Sequence, residues 1–352
     1  MKKAVAENYL IYDEETQSYT MDPEQAVRDD VEKHHWLNNL KTIVKDWRLY
    51  LMLVPMILVF LFWRYFPMYE LLGAFKLTDG TKLVNEQFFI GFSNFKNLMF
   101  SGSNMSTEFW RAFRNTFLLS FYGLCFGFPV PIILALFFNE IKSNIARSIY
   151  QVLTYLPKFM STVVVTTILT MLLQEQGTST SMGIISQMLV SIGAISPEVG
   201  AQGLLHQPQA FRAIYQISGI WEGAGYDSIV YFAAIIAISP TSYEAAQIDG
   251  AGKMAQMRYV VIPCILSTVV IMLITRIGHL LSVGYEKVLL LYNTDTYVTA
   301  DVVSTFASRY GVEGSGAPGL ASAAEMINNL IGMVLVIGAN AIARKASDVS
   351  LY

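Results

Sequence analysis

The chain has 352 residues, 53% of them hydrophobic and only 14% charged, with a mean hydropathy of +0.43 and a formal net charge of −3. Soluble domains carry roughly 25% charged residues, so this composition excludes an ordinary soluble protein and identifies an integral membrane protein, in which charges are scarce because they are expensive in lipid. The acidic balance argues against a nucleic-acid partner, and the two cysteines, Cys125 and Cys264, both in apolar runs, supply neither a disulfide framework nor zinc-ligand spacing.

Residues 1–48 are polar, and no apolar core follows the opening MKK, so no signal peptide is expected. They read as a cytoplasmic tail, acidic across 13–32, with a short approach helix before the membrane. Residues 49–352 then form the transmembrane domain. Runs of roughly 20 apolar residues mark about six spans, at 49–66, 113–138, 152–173, 211–238, 263–283 and 321–343. The apolar stretch 182–195 is too short to cross and reads as an interfacial or re-entrant helix. The expected fold class is an all-α membrane protein.

Lys and Arg in short loops set the orientation. Segment 174–210 contains neither, whereas 139–148 carries Lys142 and Arg147 and the loop before the fifth span carries Lys253 and Arg258. The two ends carry Lys41, Lys45 and Arg48, and Arg344 and Lys345. With six spans these basic segments share one side, so both termini are cytoplasmic. The long loop after the first span departs from the rule, with Lys76, Lys82, Lys96, Arg111 and Arg114 outside, where long loops obey it less strictly. Segment 293–319 is then external, and its GVEGSGAPG reads as a flexible loop, because no strand precedes it and no Lys-Ser/Thr follows.

The stretch SYEAAQIDGAGKMAQMRYVVIPCI, 242–265, interrupts the apolar pattern between the fourth and fifth spans. Its DGAGK invites a phosphate-loop reading, but a Walker A motif needs Gly at 247 and Ser or Thr at 254, where the chain has Gln247 and Met254. YEAAQID is a good helix former, GAG breaks it, and KMAQMRYVVI is a second short amphipathic helix with Met254, Met257 and Val261 on one face. Pro263 then opens the next span. A helix–Gly–helix hairpin on the cytoplasmic surface suits docking into a groove on another protein.

These residues carry a resemblance. Glu-Ala-Ala at 244–246, three residues, Gly250, nine residues and then VVIP resembles the EAA motif of ABC importer permeases, with Val260 and Ile262 as mild departures at its aliphatic positions. NTFLLSFYGLCFGFPVPIILALFFNEI, YLPKFMSTVVV, ISGIWEGAGYDSIVYFAAI and GYEKVLLLYN are similar to the carbohydrate-importing branch. Within it they resemble permeases of Gram-positive bacteria that import oligosaccharides, including uronic-acid-rich ones. The resemblance runs from about residue 49 to the end and implies a type I importer fold in the cell membrane. It implies a second, related permease as heterodimer partner, two ATPase subunits below and an extracellular substrate-binding lipoprotein above. The EAA loop, 240–263, would be the coupling helix. Glu244, Ala245, Ala246 and Gly250 would seat in the ATPase cleft, Asp249 would add a charge contact, and Pro263 would pass the motion into the fifth span. The chain would not be an enzyme and would hold no cofactor or metal, ATP-Mg being bound by the partner ATPases.

Ionisable groups within spans are expensive, so each is a functional candidate. The fourth span offers Glu222 and Asp227 with Trp221 and Tyr226, the fifth Arg276 and His279, and the sixth Asn328 and Asn329 after Glu325. At about 1.5 Å per residue, Glu222 lies roughly 16 Å along its span and Arg276 roughly 20 Å along the next, depths at which they can face one cavity. Sugars are bound by aromatic faces and planar hydrogen-bonding groups, and an Arg fork matches a uronate carboxylate. The competing reading is structural: a Glu222–Arg276 or Asp227–Arg276 pair joining two spans, with Gly219 and Gly223 of GIWEG letting helices approach. Two other function classes stand beside the importer. A secondary carrier is expected to show internal repeats and broken helices at its binding site, and a membrane glycosyltransferase needs a carboxylate or metal motif at a membrane face; neither signal is evident.

Overall fold

The computed structural model describes residues 10–13, 18–21, 45, 47–77, 87–173, 182–311 and 317–346. The chain divides into two compact units, Met1–Tyr69 and Glu70–Tyr352. In the first, β1 (Leu10–Asp13) and β2 (Ser18–Met21) pair antiparallel, Leu10 opposite Met21 and Asp13 opposite Ser18. LIYD and SYTM are rich in residues that favour strands. The rest of the acidic 13–32 stretch lies outside the described residues apart from these strands. Helix α1 (Trp47–Phe60) is apolar on every face, as a span must be.

The second unit opens with the two-residue strands β3 (Lys76–Leu77) and β4 (Phe88–Phe89), followed by α2 (Ser93–Phe100), α3 (Asn104–Tyr122) and α4 (Pro129–Glu140). Helices α3 and α4 form one span of 37 residues. Next come α5 (Asn144–Tyr155), α6 (Thr162–Leu173), α7 (Ile184–Ser191) and α8 (Pro197–Gln202). The long α9 (Pro208–Ile236) leads to α10 (Pro240–Ile248), α11 (Lys253–Gln256) and α12 (Ile262–Gly278). The chain closes with α13 (Tyr285–Leu291), α14 (Tyr297–Ala300), α15 (Val303–Gly311) and α16 (Pro318–Ala346).

Among the described residues four helices are long and apolar enough to cross a membrane, or up to six if two bent pairs each count as one span. The third expected span is one of those pairs: Asn144–Phe159 and Thr162–Leu173 meet at 98°. Pro157 sits in the 3₁₀ turn Leu156–Phe159 that ends the first arm, where a proline cannot continue the backbone ladder. The fourth span bends by 68° into α10. The fifth span begins earlier than expected, running as one helix from Lys253 to Gly278; Pro263 sits inside it rather than opening it.

Prolines explain the π-helical segments as well. Leu61–Tyr65, Gly123–Gly127 and Met257–Val261 each end two residues before a proline, respectively Pro67, Pro129 and Pro263. A proline removes one N–H and its ring collides with the carbonyl four residues earlier. Widening the preceding turn by one residue relieves that collision without breaking the helix.

Three apolar clusters hold the unit together. Phe109 and Ala112 of α3, Val303 and Phe306 of α15, and Ala323, Ala324 and Ile327 of α16 form one; their alanines let helix axes approach closely. Phe211 packs with Leu119, Val288 and Val302 in the second, and Tyr231 and Ile235 with Ala135, Val261 and Ile265 in the third. The most extensive helix contact is α9 on α4. Gly225 lets α5 cross α9: a Cβ there would lie 2.1 Å from the Thr154 carbonyl oxygen.

Segment 293–311 is not a loop. Helices α14 and α15 are clamped to α3 by a polar cluster around Asp301, which is fully buried. Its carboxylate accepts from Thr305 Oγ1 at 2.8 Å and from both Arg309 Nη atoms at 3.2 and 2.7 Å. Asn115 donates to the Val298 and Asp301 carbonyls, each at 3.0 Å, and accepts from Arg212 at 3.0 Å. Burial works against the charge of Arg309, but the hydrogen bond and charge of Asp301, aided by Glu108, outweigh it and raise its pKa further. Most of the GVEGSGAPG stretch, 312–316, lies outside the described residues.

Candidate functional site

The π segment Gly123–Gly127, α9 and the end of α12 enclose a cavity of about 380 Å³. Three basic side chains line it, Lys158, Arg276 and Lys287, against two carboxylates, Glu222 and Asp227, with Gln216 and His279 completing the polar wall. Glu222, Asp227 and Arg276 stand in membrane-spanning helices, where an uncompensated charge is retained for function or for a partner.

Arg276 projects from the last turn of α12 across the cavity towards α3 and α4. Cβ atoms built at Gly123 and Gly127 would each lie 3.9 Å from its Nη2, so its fork packs in ordinary contact distance of the face of the π segment that carries both glycines. Among the described residues it forms no ion pair within 4.0 Å. Neither expected structural pair is present. Glu222 instead accepts from Lys287 Nζ at 2.9 Å, and that ammonium lies 5.7 Å from the centre of the Tyr215 ring. Asp227 faces the charges of Arg276 and Lys158 without an ion pair to either within 4.0 Å among the described residues. His279, three residues beyond Arg276, lines the same space, as expected of neighbours on one helix face.

Other expected residues point elsewhere. On α9 the cavity wall is Tyr215, Gln216, Gly219, Ile220, Glu222, Gly223, Ala224 and Asp227, one broad helical stripe. Trp221 and Tyr226 lie off that stripe and are 48% and 44% exposed; Tyr226 meets the edge of Phe159 at 6.1 Å. Gly219 and Gly223 border the cavity rather than a helix crossing, the nearest atoms to their Cβ positions being Lys287 Nζ at 3.9 Å and Asp227 Oδ2 at 3.6 Å. The close crossing belongs to Gly225. Asn328 is buried and donates to the Leu281 carbonyl at 3.1 Å, and Asn329 is exposed on another face of α16. Lys158 and Lys287 were not singled out by sequence; the available signal was a lysine among the apolar residues of YLPKFM and another leading into the apolar run of GYEKVLLL.

The second feature is the hairpin at 240–261. Helix α10 ends at Asp249 with Gly250 at φ 76°. Gly250 N–H donates to the Gln247 carbonyl at 3.0 Å and Ala251 N–H to that of Ala246 at 2.9 Å. This is a Schellman cap, whose left-handed residue is most cheaply Gly. Tyr243 anchors α10 to the third apolar cluster, and Lys253 pairs with Glu140 at the end of α4. Glu244, Ala245 and Asp249 remain exposed, with Ile248 at 87% and Met254 at 74%. An apolar, rigidly capped projection of this kind offers a surface to a partner.

The profile described as binding-protein-dependent transport system inner membrane component matches residues 127–284, which contain the cavity stripe of α9, Arg276 and the hairpin. The polygalacturonan/rhamnogalacturonan transport system permease protein YteP of Bacillus subtilis (strain 168) is 32% identical over 88% of this chain and 92% of its own length. The crystal structure of a bacterial ABC transporter involved in the import of the acidic polysaccharide alginate contains a chain 41% identical, covering 88% of this chain and 99% of that one, with a TM-score of 0.76. The same kind of importer in complex with an alginate pentasaccharide-bound periplasmic protein gives 40% identity over the same shares and a TM-score of 0.75. By this likeness along nearly its whole length, the chain belongs to the binding-protein-dependent transport system inner membrane component family, as a permease subunit of an ABC importer.

Proposed function

We propose that this permease imports an acidic oligosaccharide, and that Arg276 receives a sugar carboxylate in the cavity between α3, α9 and α12. The observation that carries the reading is the guanidinium of Arg276, lodged over Gly123 and Gly127 without an ion-pair partner among the described residues. A bidentate Arg–carboxylate pair is strong where water is excluded. The Glu222–Lys287 pair keeps part of the wall neutral, and in the remainder the two cations Lys158 and Arg276 outnumber the one carboxylate, Asp227. The acidic substrates named for YteP and for the alginate importers support this choice over a neutral sugar.

The assembly follows the same reading. A second permease completes the cavity wall, an extracellular binding lipoprotein delivers the sugar, and two ATPase subunits seat the hairpin in the membrane of a Gram-positive cell. Glu244, Ala245, Ala246 and Gly250 form the seated surface, Asp249 adds a charge contact, and ATP-Mg belongs to the ATPases. Pro263 and the π turn before it carry the push into α12, whose far end holds Arg276.

The test is uptake by the purified complex in proteoliposomes, with labelled tetragalacturonate and maltotetraose as probes. ATP-dependent uptake that favours tetragalacturonate is expected, as is loss of coupling in Glu244→Lys. Proton-driven uptake by the isolated chain would return the reading to a secondary carrier.

A further inference from the structure

A second cavity of about 290 Å³ adjoins the first, and the two share four wall residues: Gly127, Asp227, Arg276 and His279. The order of residues along three elements fixes how the cavities stack. From α3 to α4 the first cavity takes Leu119 to Gly127, and the second takes Gly127, Phe128 and Pro131. Along α9 the first takes Tyr215 to Asp227, and the second Asp227 and Tyr231. Helix α12 runs the other way: Met272 and Thr275 line the second, and Arg276 and His279 reach the first. Because α9 descends to the hairpin and α12 rises from it, all three put the second cavity on the hairpin side. The shared layer therefore divides an outer chamber from an inner one, and Tyr231 lies about 6 Å, one helical turn, beyond Asp227.

The lining changes at that layer. Past it the inner wall carries no formal charge among the described residues; it is Phe128, Pro131, Tyr231, Met272 and Thr275. The Phe128 and Tyr231 rings meet edge to face, 6.4 Å between centroids at 88°, an arrangement that holds both rings in place. A pyranose ring has an apolar C–H face that packs on aromatic rings, and hydroxyls that a threonine can meet. An acidic sugar carries its carboxylate on the ring edge and keeps that face.

We infer that the inner chamber is a second sugar subsite, one that packs the apolar face of a pyranose ring against Phe128, whose ring the buried Tyr231 holds in place, after the chain has passed the Asp227–Arg276–His279 layer. This rests on the sugar-path reading above. One oligosaccharide then occupies both levels: a carboxylate is held at Arg276, and the next unit, about one turn deeper, is held by shape and C–H contact. Charge selects at the shared layer, and the inner chamber accepts any sugar whose ring face fits.

Thiol protection in the assembled importer tests this. In a Cys125→Ser, Cys264→Ser background, Thr275→Cys reports on the inner chamber and Ser282→Cys on the outer, with Met272→Cys replacing Thr275→Cys if that variant fails to assemble. The rate of N-ethylmaleimide labelling is measured without sugar and with tetragalacturonate or maltotetraose. At about ten times the Kd, an occupied level is labelled about tenfold more slowly, and tetragalacturonate is expected to slow both thiols. Slowing at Ser282→Cys with an unchanged rate at Thr275→Cys would overturn the inner subsite and leave the outer one standing. Unchanged rates at both, with either probe, would overturn the sugar-path reading and this inference with it.

Discussion

The carboxylate of Asp301 is fully buried and held by Thr305 and Arg309, whereas the guanidinium of Arg276 stands in a cavity with no ion-pair partner within 4.0 Å among the described residues. Both are ionisable groups among apolar helices, and both would be expensive if left bare in lipid. At Asp301 the expense is offset within the chain, by hydrogen bonds that join α14 and α15. At Arg276 it is met by an open, polar cavity shared with Asp227, Lys158 and His279. A charge whose partners all come from its own chain belongs to the scaffold, and one left to face a cavity is available to something that enters. The difference lies in partner geometry, not in residue type.

Substitutions can break or sharpen this contrast, and they are ordered here by expected loss of stability. Asp301→Ala strands the buried Arg309 and should cost about 3–5 kcal/mol. Its Tm in detergent should fall well below that of the parent, while complexes that do assemble keep their sugar preference; an unchanged Tm would mean that the cluster is not a clamp. Gly225→Ala forces a methyl onto the Thr154 carbonyl and should cost about 1–3 kcal/mol through overpacking. Because α5 supports the turn that carries Lys158, uptake should fall along with stability, and normal uptake would detach that wall from function. Gly250→Val should cost about 1–2 kcal/mol, since the left-handed backbone is the only strain there: nothing lies within 4 Å of a Cβ at that position. Gly250→Asn should recover most of the coupled ATPase activity, and equal activity in both variants would rule out the cap as the reason for Gly. Arg276→Leu should cost least in stability, because no ion pair within the described chain is lost, and should act on transport alone.

How much of this was legible beforehand differs between the two regions. Span positions could be read because about 20 apolar residues are needed to cross lipid. Rarity of charge likewise drew attention to Glu222, Asp227, Arg276 and His279, all of which line the cavity. Helical phase was not legible: in a span that is apolar all round, nothing in the pattern says which face lines the cavity, and Trp221, Tyr226 and Asn329 lie off its wall. Pairing was not legible either, since Glu222 reaches a lysine 65 residues away on α13, beyond the next span. The Asp301 clamp escaped notice because its segment was read only as external, and the fold alone brings Asn115, 186 residues away, to it. Three prolines, Pro67, Pro129 and Pro263, were more informative than they looked, each following a π turn, and Pro263 lies inside the fifth span rather than at its opening.

The central claim is that Arg276 reads a sugar carboxylate, and the most direct measurement is the uptake of tetragalacturonate and maltotetraose by Arg276→Leu in the reconstituted complex. A hydrogen bond to a charged group contributes about 1.5–3 kcal/mol, so tetragalacturonate uptake should fall about 10- to 100-fold, with maltotetraose uptake and Tm little changed. An equal fall for both sugars, or no fall for either, would contradict the account.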